Sequence, residues 1–190
     1  NREMDKETYV IHFEGKKLTE IMNYEDVVDD DVFFLPAGRV HTIGKGCLLA
    51  EIQQTSDITY RIYDFDHKDA QGNTRELHTE EALDAIDYKH YSQYKTEYDK
   101  SVKNEAVQLA TCPYFETNVL KCDTPIARNY DEIDSFVIYV CFDGAFAIEY
   151  AEGSVKAKKG EAVLLPANIK KVTLKPAGQF KILESYVPKP

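Results

Sequence analysis

Residues 31–61 read DVFFLPAGRVHTIGKGCLLAEIQQTSDITYR, and they indicate the fold more directly than any other part of the chain. Three segments in and just beyond this stretch, 32–35, 47–52 and 58–65, are rich in apolar, β-branched and aromatic residues, which predicts three short strands, the first of them buried. A Pro-Ala-Gly sequence follows the first segment at 36–38. It predicts a turn, because proline cannot donate to a sheet and glycine accepts a positive φ.

Each predicted strand brings one side chain that is able to take part in chemistry. His41 follows the turn at a strand edge, Glu51 lies in the second strand, and Arg61 lies in the third. Consecutive strands of one sheet would direct these three side chains towards a single cavity. Each also has an ordinary explanation. His41 could be a solvated imidazole, and Glu51 could form a structural ion pair, because a buried carboxylate needs a partner or a proton. Arg61 could pair with Asp57 or Asp64.

The pattern of residues 30–41 returns at residues 160–171, an offset of 130 positions. Gly38 is matched by Asn168, which is expected to adopt the same left-handed conformation. His41 is matched by Lys171, whose ammonium group is not a metal ligand. The second copy is therefore expected to keep the strand and the turn without binding metal.

The rest of the chain predicts a polar, helical first part and a second part made of strands. Residues 1–28 have roughly helical spacing, Thr79 is expected to cap a short helix, and 88–103 is expected to be an extended surface linker. Turn residues at 143–144 and 152–153 predict β-hairpins. Short strands are predicted at 114–121, 136–142, 145–150, 154–156, 162–165, 172–174 and 180–187, which indicates a sandwich or small barrel.

The stretch resembles type I phosphomannose isomerases, which are zinc-dependent enzymes of the cupin superfamily, in their short bacterial branch. The residues that carry this resemblance are Pro36, Gly38, His41, Gly46, Leu49, Glu51, Ser56, Asp57 and Arg61. The resemblance implies a mainly β chain with cupin jelly-roll architecture and short helices in the N-terminal part. Residues 1–107 are expected to be the C-terminal part of a metal-site cupin domain, with helical segments and a linker. Residues 108–190 are expected to be a complete, metal-free cupin domain.

The resemblance also implies an activity, the interconversion of mannose 6-phosphate and fructose 6-phosphate through an enediol(ate) with zinc assistance. It makes His41 a zinc ligand and Arg61 a catalytic residue, and it places Glu51 in the site. Family members hold the zinc with further ligands upstream of the position of His41. The chain is therefore expected to be the C-terminal part of such an enzyme and to have little or no activity alone.

Two other functions are compatible with the same residues. One is a non-catalytic cupin that binds a sugar or sugar phosphate, and the other is a structural or oligomer-forming cupin. The isomerase and the binding protein differ in whether loss of Arg61 abolishes turnover while binding is retained. The structural protein would bind no sugar phosphate.

The composition excludes several classes of protein. Lys plus Arg number 23 and Asp plus Glu number 33, so the net charge of −10 argues against nucleic-acid binding, which needs a basic face. Convergent basic side chains could still bind an anionic sugar phosphate. The four cysteines form no C-x-x-C pair, and no long apolar run or signal peptide is visible. A cytoplasmic protein without a membrane partner is expected, and a homo-oligomer is compatible with the cupin resemblance.

Overall fold

The computed structural model describes residues 4–56 and 58–189. The chain divides into two compact units, Asn1–Ala50 with Thr55–Lys95, and Glu51–Gln54 with Thr96–Pro190. None of the helices in the described ranges has the length and apolar character that a membrane crossing requires. The elements are α1 (Lys6–Glu14), a 3₁₀-helix (Leu18–Glu20), α2 (Thr79–Ala85), β1 (Ala106–Thr111), β2 (Glu116–Cys122), β3 (Ile126–Asn129), β4 (Val137–Tyr150), β5 (Gly153–Lys158), β6 (Ala162–Leu165) and β7 (Lys171–Tyr186).

The second unit is an antiparallel β-sheet in which the strands follow the order β1-β2-β7-β4-β5. Strand β7 pairs along its first half with β3 and along its second half with β2, while β4 accompanies most of its length; β6 pairs with the start of β4. Successive side chains point to opposite faces, so each strand buries alternate residues. The prediction of a mainly β chain is confirmed. The buried core consists of Leu120, Cys122, Tyr130, Val137, Tyr139, Cys141, Phe146, Ile148, Ala157, Leu165, Val172, Leu174, Phe180 and Ile182.

The hairpin predicted at residues 143–144 is wrong, because β4 runs through this position as one strand of 14 residues. The pairing of β4 with β7 shifts register on both sides of Gly144, which has a φ of +72°. A bulge and a tight turn both require a residue with positive φ, so the same sequence signal fits both. Likewise, the segments predicted as two strands at 172–174 and 180–187 belong to the single strand β7.

The strands predicted at 32–35, 47–52 and 58–65 do not form; residues 51–52 belong to the second unit and the others to the first. Among the described residues of the first unit there are two isolated bridges, Phe33 with Lys95 and Lys68 with Thr74, and only the first lies in a predicted strand. These segments lack the ladder of hydrogen bonds that defines a strand. Without a neighbouring strand the apolar side chains stay in solvent, so Leu35 is 41% exposed and Leu48 is 90% exposed.

The repeat predicted from the sequence is visible in the geometry of each unit taken by itself. Asp30 and Gly160, which correspond at the offset of 130, have positive φ values of 70° and 85°. The N–H of Arg39 donates to the carbonyl of Pro36 over 3.2 Å, and the N–H of Ile169 donates to the carbonyl of Pro166 over 3.0 Å.

The two turns of the repeat differ in one respect that corrects the prediction for Asn168. Gly38 has a φ of +85°, whereas Asn168 is not among the residues with positive φ. A type II turn needs a positive φ at its third residue and a type I turn does not. Both turns make the same hydrogen bond, but the second does so without a left-handed residue.

Candidate functional site

His41 follows the Pro-Ala-Gly turn and is exposed, but it does not lie at a strand edge as predicted, because the strand expected at 32–35 does not form. Its Nδ1 lies 2.9 Å from the carbonyl oxygen of Arg39. A carbonyl oxygen only accepts hydrogen bonds, so Nδ1 carries the proton and donates it. The lone pair is then on Nε2, and the ring is held in the manner of metal-binding histidines, whose second nitrogen usually donates to a carbonyl or carboxylate.

Arg61 is half-buried and is held by the segment that leads into α2. Its backbone N–H donates to Nδ1 of His78 over 3.1 Å, and its carbonyl accepts from the backbone N–H of His78 over 2.8 Å. Nη1 of the guanidinium donates to the carbonyl of Glu76 over 3.3 Å. No local pattern in the sequence links His78 to a residue 17 positions away. It precedes Thr79, which is the first helical residue of α2 and not its N-cap.

The alternative ion pair for Arg61 with Asp64 is not formed. Both carboxylate oxygens of Asp64 accept from Arg75, one of them from Nε over 2.8 Å and the other from Nη2. The hydrogen bond from Arg75 lowers the pKa of Asp64 below its usual value. Asp57, the other candidate partner and a residue of the predicted motif, lies outside the described residues.

Glu51 is exposed and lies in a segment without strand structure, so the expectation of a buried carboxylate in an apolar strand is wrong. The reason is the same as for Leu48: without a ladder partner the segment buries neither face. His41 and Arg61, both in the first unit, make no contact with each other in the described part of the chain, because each is held by a separate segment. Among those residues no group of three or more histidine, cysteine or acidic side chains is arranged to hold a metal ion.

The interior of the second unit contains a buried polar cluster around Glu184, which is 0% exposed. Nε and Nη2 of Arg128 donate to the two carboxylate oxygens over 2.8 and 2.6 Å. Asn118 donates over 3.2 Å, and the hydroxyl of Tyr130 donates to the carboxylate and contacts the hydroxyl of Tyr139. Burial alone would lower the pKa of Arg128, but hydrogen bonds to Glu184 and its charge outweigh burial and raise it. We name these five residues the Glu184 cluster.

The counterpart of His41 in the second unit lies outside this cluster. Lys171 begins β7 and is exposed, with its ammonium 3.7 Å from a carboxylate oxygen of Asp131. The interior of the second unit contains the ion pair of Arg128 and Glu184. Lys171, which replaces the histidine, is exposed to solvent.

The tyrosines of this region predict a loss of stability at alkaline pH. Burial raises the pKa values of Tyr130 and Tyr139, and burial and then a hydrogen bond to Glu116 raise that of Tyr186 to about 12. A raised pKa favours the neutral form in the folded state. Its contribution to stability is therefore complete below the unfolded tyrosine pKa of about 10 and is lost as the pH rises above it.

We expect the free energy of unfolding, measured in denaturant from about pH 8 to about pH 12, to fall steeply over the upper half of that range. Tyr186→Phe, which removes one of the titrating hydroxyls, should make the fall shallower. Cys122, whose pKa burial raises to about 11, contributes in the same direction in both proteins. An equal slope for the variant and the parent chain would contradict the assignment to Tyr186.

Comparisons with known proteins show what this chain is similar to. Residues 105–187 match the family model of the mannose-6-phosphate isomerase cupin domain. The chain is 32% identical over 182 residues to mannose-6-phosphate isomerase ManA of Bacillus subtilis, covering 95% of this chain and 54% of the relative. It is 31% identical over 140 residues to the mannose-6-phosphate isomerase of Streptococcus mutans, covering 74% of this chain and 44% of the relative.

A solved structure also matches the chain. The crystal structure of a mannose 6-phosphate isomerase from Bacillus subtilis superposes with a TM-score of 0.57 at 29% sequence identity, covering 70% of this chain and 41% of that one. The chain spans about half the length of the curated relatives that it matches. These similarities confirm the cupin fold and the resemblance to mannose-6-phosphate isomerases, and residues 105–187 are the part of the chain that the model of their cupin domain matches.

Proposed function

We propose that this chain is part of a mannose-6-phosphate isomerase, which interconverts mannose 6-phosphate and fructose 6-phosphate through an enediol(ate) with the help of zinc. The observation that carries the proposal is the 32% identity to ManA, which extends over 95% of the chain and therefore includes the segment with His41 and Arg61. Mannose 6-phosphate and fructose 6-phosphate are the proposed partners. The fit of a zinc ion, the role of Arg61 and the activity of the chain alone are separate parts of the proposal.

The described residues do not by themselves fit a zinc ion. A catalytic zinc is usually held by three protein ligands, and here one is available, Nε2 of His41. We propose that His41 supplies one ligand and that the others belong to a part of the enzyme outside the described residues. The segments at 40–50 and 58–65 form no strand in the described structure and support this proposal, because a strand exists only when another strand pairs with it.

Arg61 is the proposed catalytic residue of this chain. The isomerisation moves a proton between C1 and C2 of the sugar, and negative charge develops on the enediolate oxygens in between. A guanidinium has five N–H donors, and a donor fixed where the charge develops stabilises the transition state more than the substrate. Two hydrogen bonds between the backbone of Arg61 and His78, one to the imidazole Nδ1 and one from the backbone N–H, hold the segment that carries Arg61. Glu51 is the second proposed site residue, as a carboxylate that relays a proton or positions Arg61.

The first experiment is a coupled assay for fructose 6-phosphate formation from mannose 6-phosphate. It compares this chain with a version extended upstream, each with added zinc and with a chelator. We expect activity only in the extended, zinc-loaded protein. Metal-dependent turnover by the short chain would contradict the proposed inactivity of this chain alone. If neither protein forms fructose 6-phosphate, the isomerase proposal is contradicted and a protein that binds sugar phosphate without turnover is favoured.

Arg61→Ala in the extended protein is expected to lower kcat by about 10²- to 10³-fold, with mannose 6-phosphate binding retained. The matched control is Lys45→Ala, which removes an exposed cation close to His41 and should leave kcat unchanged. Binding is followed by isothermal titration calorimetry. An unchanged kcat in Arg61→Ala would remove this residue from the mechanism, and loss of binding alone would make it a substrate-binding residue.

We further propose a cytoplasmic location, because the four cysteines are free thiols, as is usual in reducing compartments. The homo-oligomer that the cupin resemblance allows stays a prediction.

A further inference from the structure

The turn that precedes His41 is packed directly against the segment that follows α2. The backbone N–H of Asp87 donates to the carbonyl of Gly38 over 2.9 Å. A Cβ atom on Gly38 would lie 2.3 Å from the carbonyl oxygen of Ala85 and 3.1 Å from the nitrogen of Asp87. Carbon and oxygen atoms do not approach this closely, so the contact requires glycine at this position. The turn and the segment are therefore in backbone-to-backbone contact.

Arg39 extends this contact through its side chain. The guanidinium carbon lies 4.2 Å from the ring centroid of Tyr91 and 5.8 Å from that of Tyr94. Both distances are within the range of a cation–π interaction. The hydroxyl of Tyr91 donates to Asp87 over 2.5 Å, which ties the ring to the residue that bonds to Gly38. Residues 85–94 thus contact both the backbone and the side chains of the turn, and we call them the brace.

The backbone of Arg39 also contacts the imidazole. Its carbonyl oxygen accepts the hydrogen bond from Nδ1 of His41 over 2.9 Å. One residue therefore contacts the brace through its guanidinium and sets the tautomer of His41 through its carbonyl. The orientation of this carbonyl depends on the φ and ψ angles of Arg39, which the stacking on Tyr91 restrains.

We propose that the brace holds the turn before His41 in place and that Arg39 is a positioning residue, which keeps the lone pair of His41 on Nε2. Residues 88–94 of the brace belong to the stretch that was expected to be a surface linker. Its tyrosines Tyr91 and Tyr94 instead contact Arg39 of the turn. The functional role of this arrangement rests on the proposed function, in which Nε2 of His41 binds zinc. The contacts themselves do not depend on that function, and they can be tested without zinc or substrate.

The first test measures the tautomer of the His41 ring by ¹⁵N NMR in the full chain at about pH 8.5. The parent chain is expected to show the Nδ1–H form. Arg39→Ala and Tyr91→Leu should shift the population towards the Nε2–H form, which unrestrained histidine prefers in water. Tyr91→Phe keeps the ring and should retain most of the Nδ1–H form.

The control is Lys45→Ala, which removes a nearby cation that does not contact the brace and should leave the tautomer unchanged. Unchanged His41 spectra in both Arg39→Ala and Tyr91→Leu would overturn the positioning role. A failure of the isomerase assay with the expected tautomer shifts would overturn the proposed function alone, so the two outcomes are distinguishable.

The second test uses a matched pair of glycines with nearly equal backbone angles. Gly38 has a φ of +85° and Gly46 a φ of +86°, but a Cβ on Gly46 would meet nothing within 4 Å. We expect Gly38→Ala to speed amide hydrogen exchange at Asp87 about tenfold or more, because the brace must move away, and Gly46→Ala to leave it unchanged. Equal exchange at Asp87 in the two variants would contradict the brace.

Discussion

Replacing Arg128 by methionine is expected to lower the free energy of unfolding by about 3 kcal/mol, the lower end of the range for breaking a buried ion pair. The variant leaves Glu184 buried without its counter-charge, although Tyr130 and Asn118 still donate to it. The side chain of Arg128 is itself 22% exposed, which moderates the loss. Hydrogen exchange of the amides of Leu120 and Ile182, which lie in the fully buried part of β2 and β7, measures the effect in the second unit.

Two further variants separate the cause from a general loss of packing. Arg128→Met combined with Glu184→Gln removes the unpaired charge and keeps an acceptor for Tyr130, so it should recover part of the stability. Lys175→Met breaks an exposed ion pair with Glu149 on the same sheet and should cost no more than about 1 kcal/mol. If Arg128→Met cost no more than Lys175→Met, the buried ion pair would not be a source of stability.

Gly144→Ala is expected to cost about 3 kcal/mol or more, from a left-handed backbone and a steric overlap together. Gly144 has a φ of +72°, and a Cβ there would lie 1.9 Å from the carbonyl oxygen of Gln179 on β7. Because the Cβ is attached rigidly to the backbone of β4 and the oxygen belongs to the backbone of the paired strand β7, relief requires the central pairing of β4 with β7 to open. Denaturant unfolding followed by circular dichroism measures the loss.

The control for this prediction is Gly160→Ala in the same unit. Gly160 has a φ of +85°, but nothing lies within 4 Å of its Cβ position, so its cost should be limited to the backbone, about 1–2 kcal/mol. Equal losses in the two variants would assign the whole effect to backbone conformation and none to the contact with Gln179.

The strands of the second unit could be predicted because their partners lie within the same unit. Strand β6 was predicted with its observed bounds, Ala162–Leu165, from its apolar run and the proline that follows it. The continuity of the long strand β4 was not predicted. A glycine with positive φ fits a bulge as well as a hairpin, so the glycine at position 144 does not indicate whether one long strand or two short ones form.

Residues 32–65 show why a strand pattern alone does not suffice. Residues 47–52 have the composition of a strand, but a strand exists only when a second one supplies its hydrogen bonds. For the same reason Glu51 is exposed and the predicted convergence with His41 and Arg61 could not be derived from spacing. The turn before His41 could be predicted, because proline and glycine have local requirements.

The contacts that hold the candidate site residues were beyond sequence reasoning. His78 contacts the backbone of Arg61 and Tyr91 stacks on Arg39, and both pairs are distant in sequence. The local sequence around a histidine or a tyrosine does not indicate which distant residue its side chain will contact. The ion pair of Arg128 and Glu184 is a third example, because charged residues in strands are usually exposed.

The two related turns differ in how freely they accept substitution over evolutionary time. At position 38 both the left-handed backbone and the neighbouring Ala85 exclude every side chain, so the codon is confined to glycine as long as the brace is present. At position 168 the turn makes its hydrogen bond without a left-handed residue, so many amino acids are acceptable. Position 168 should therefore tolerate substitutions that position 38 does not.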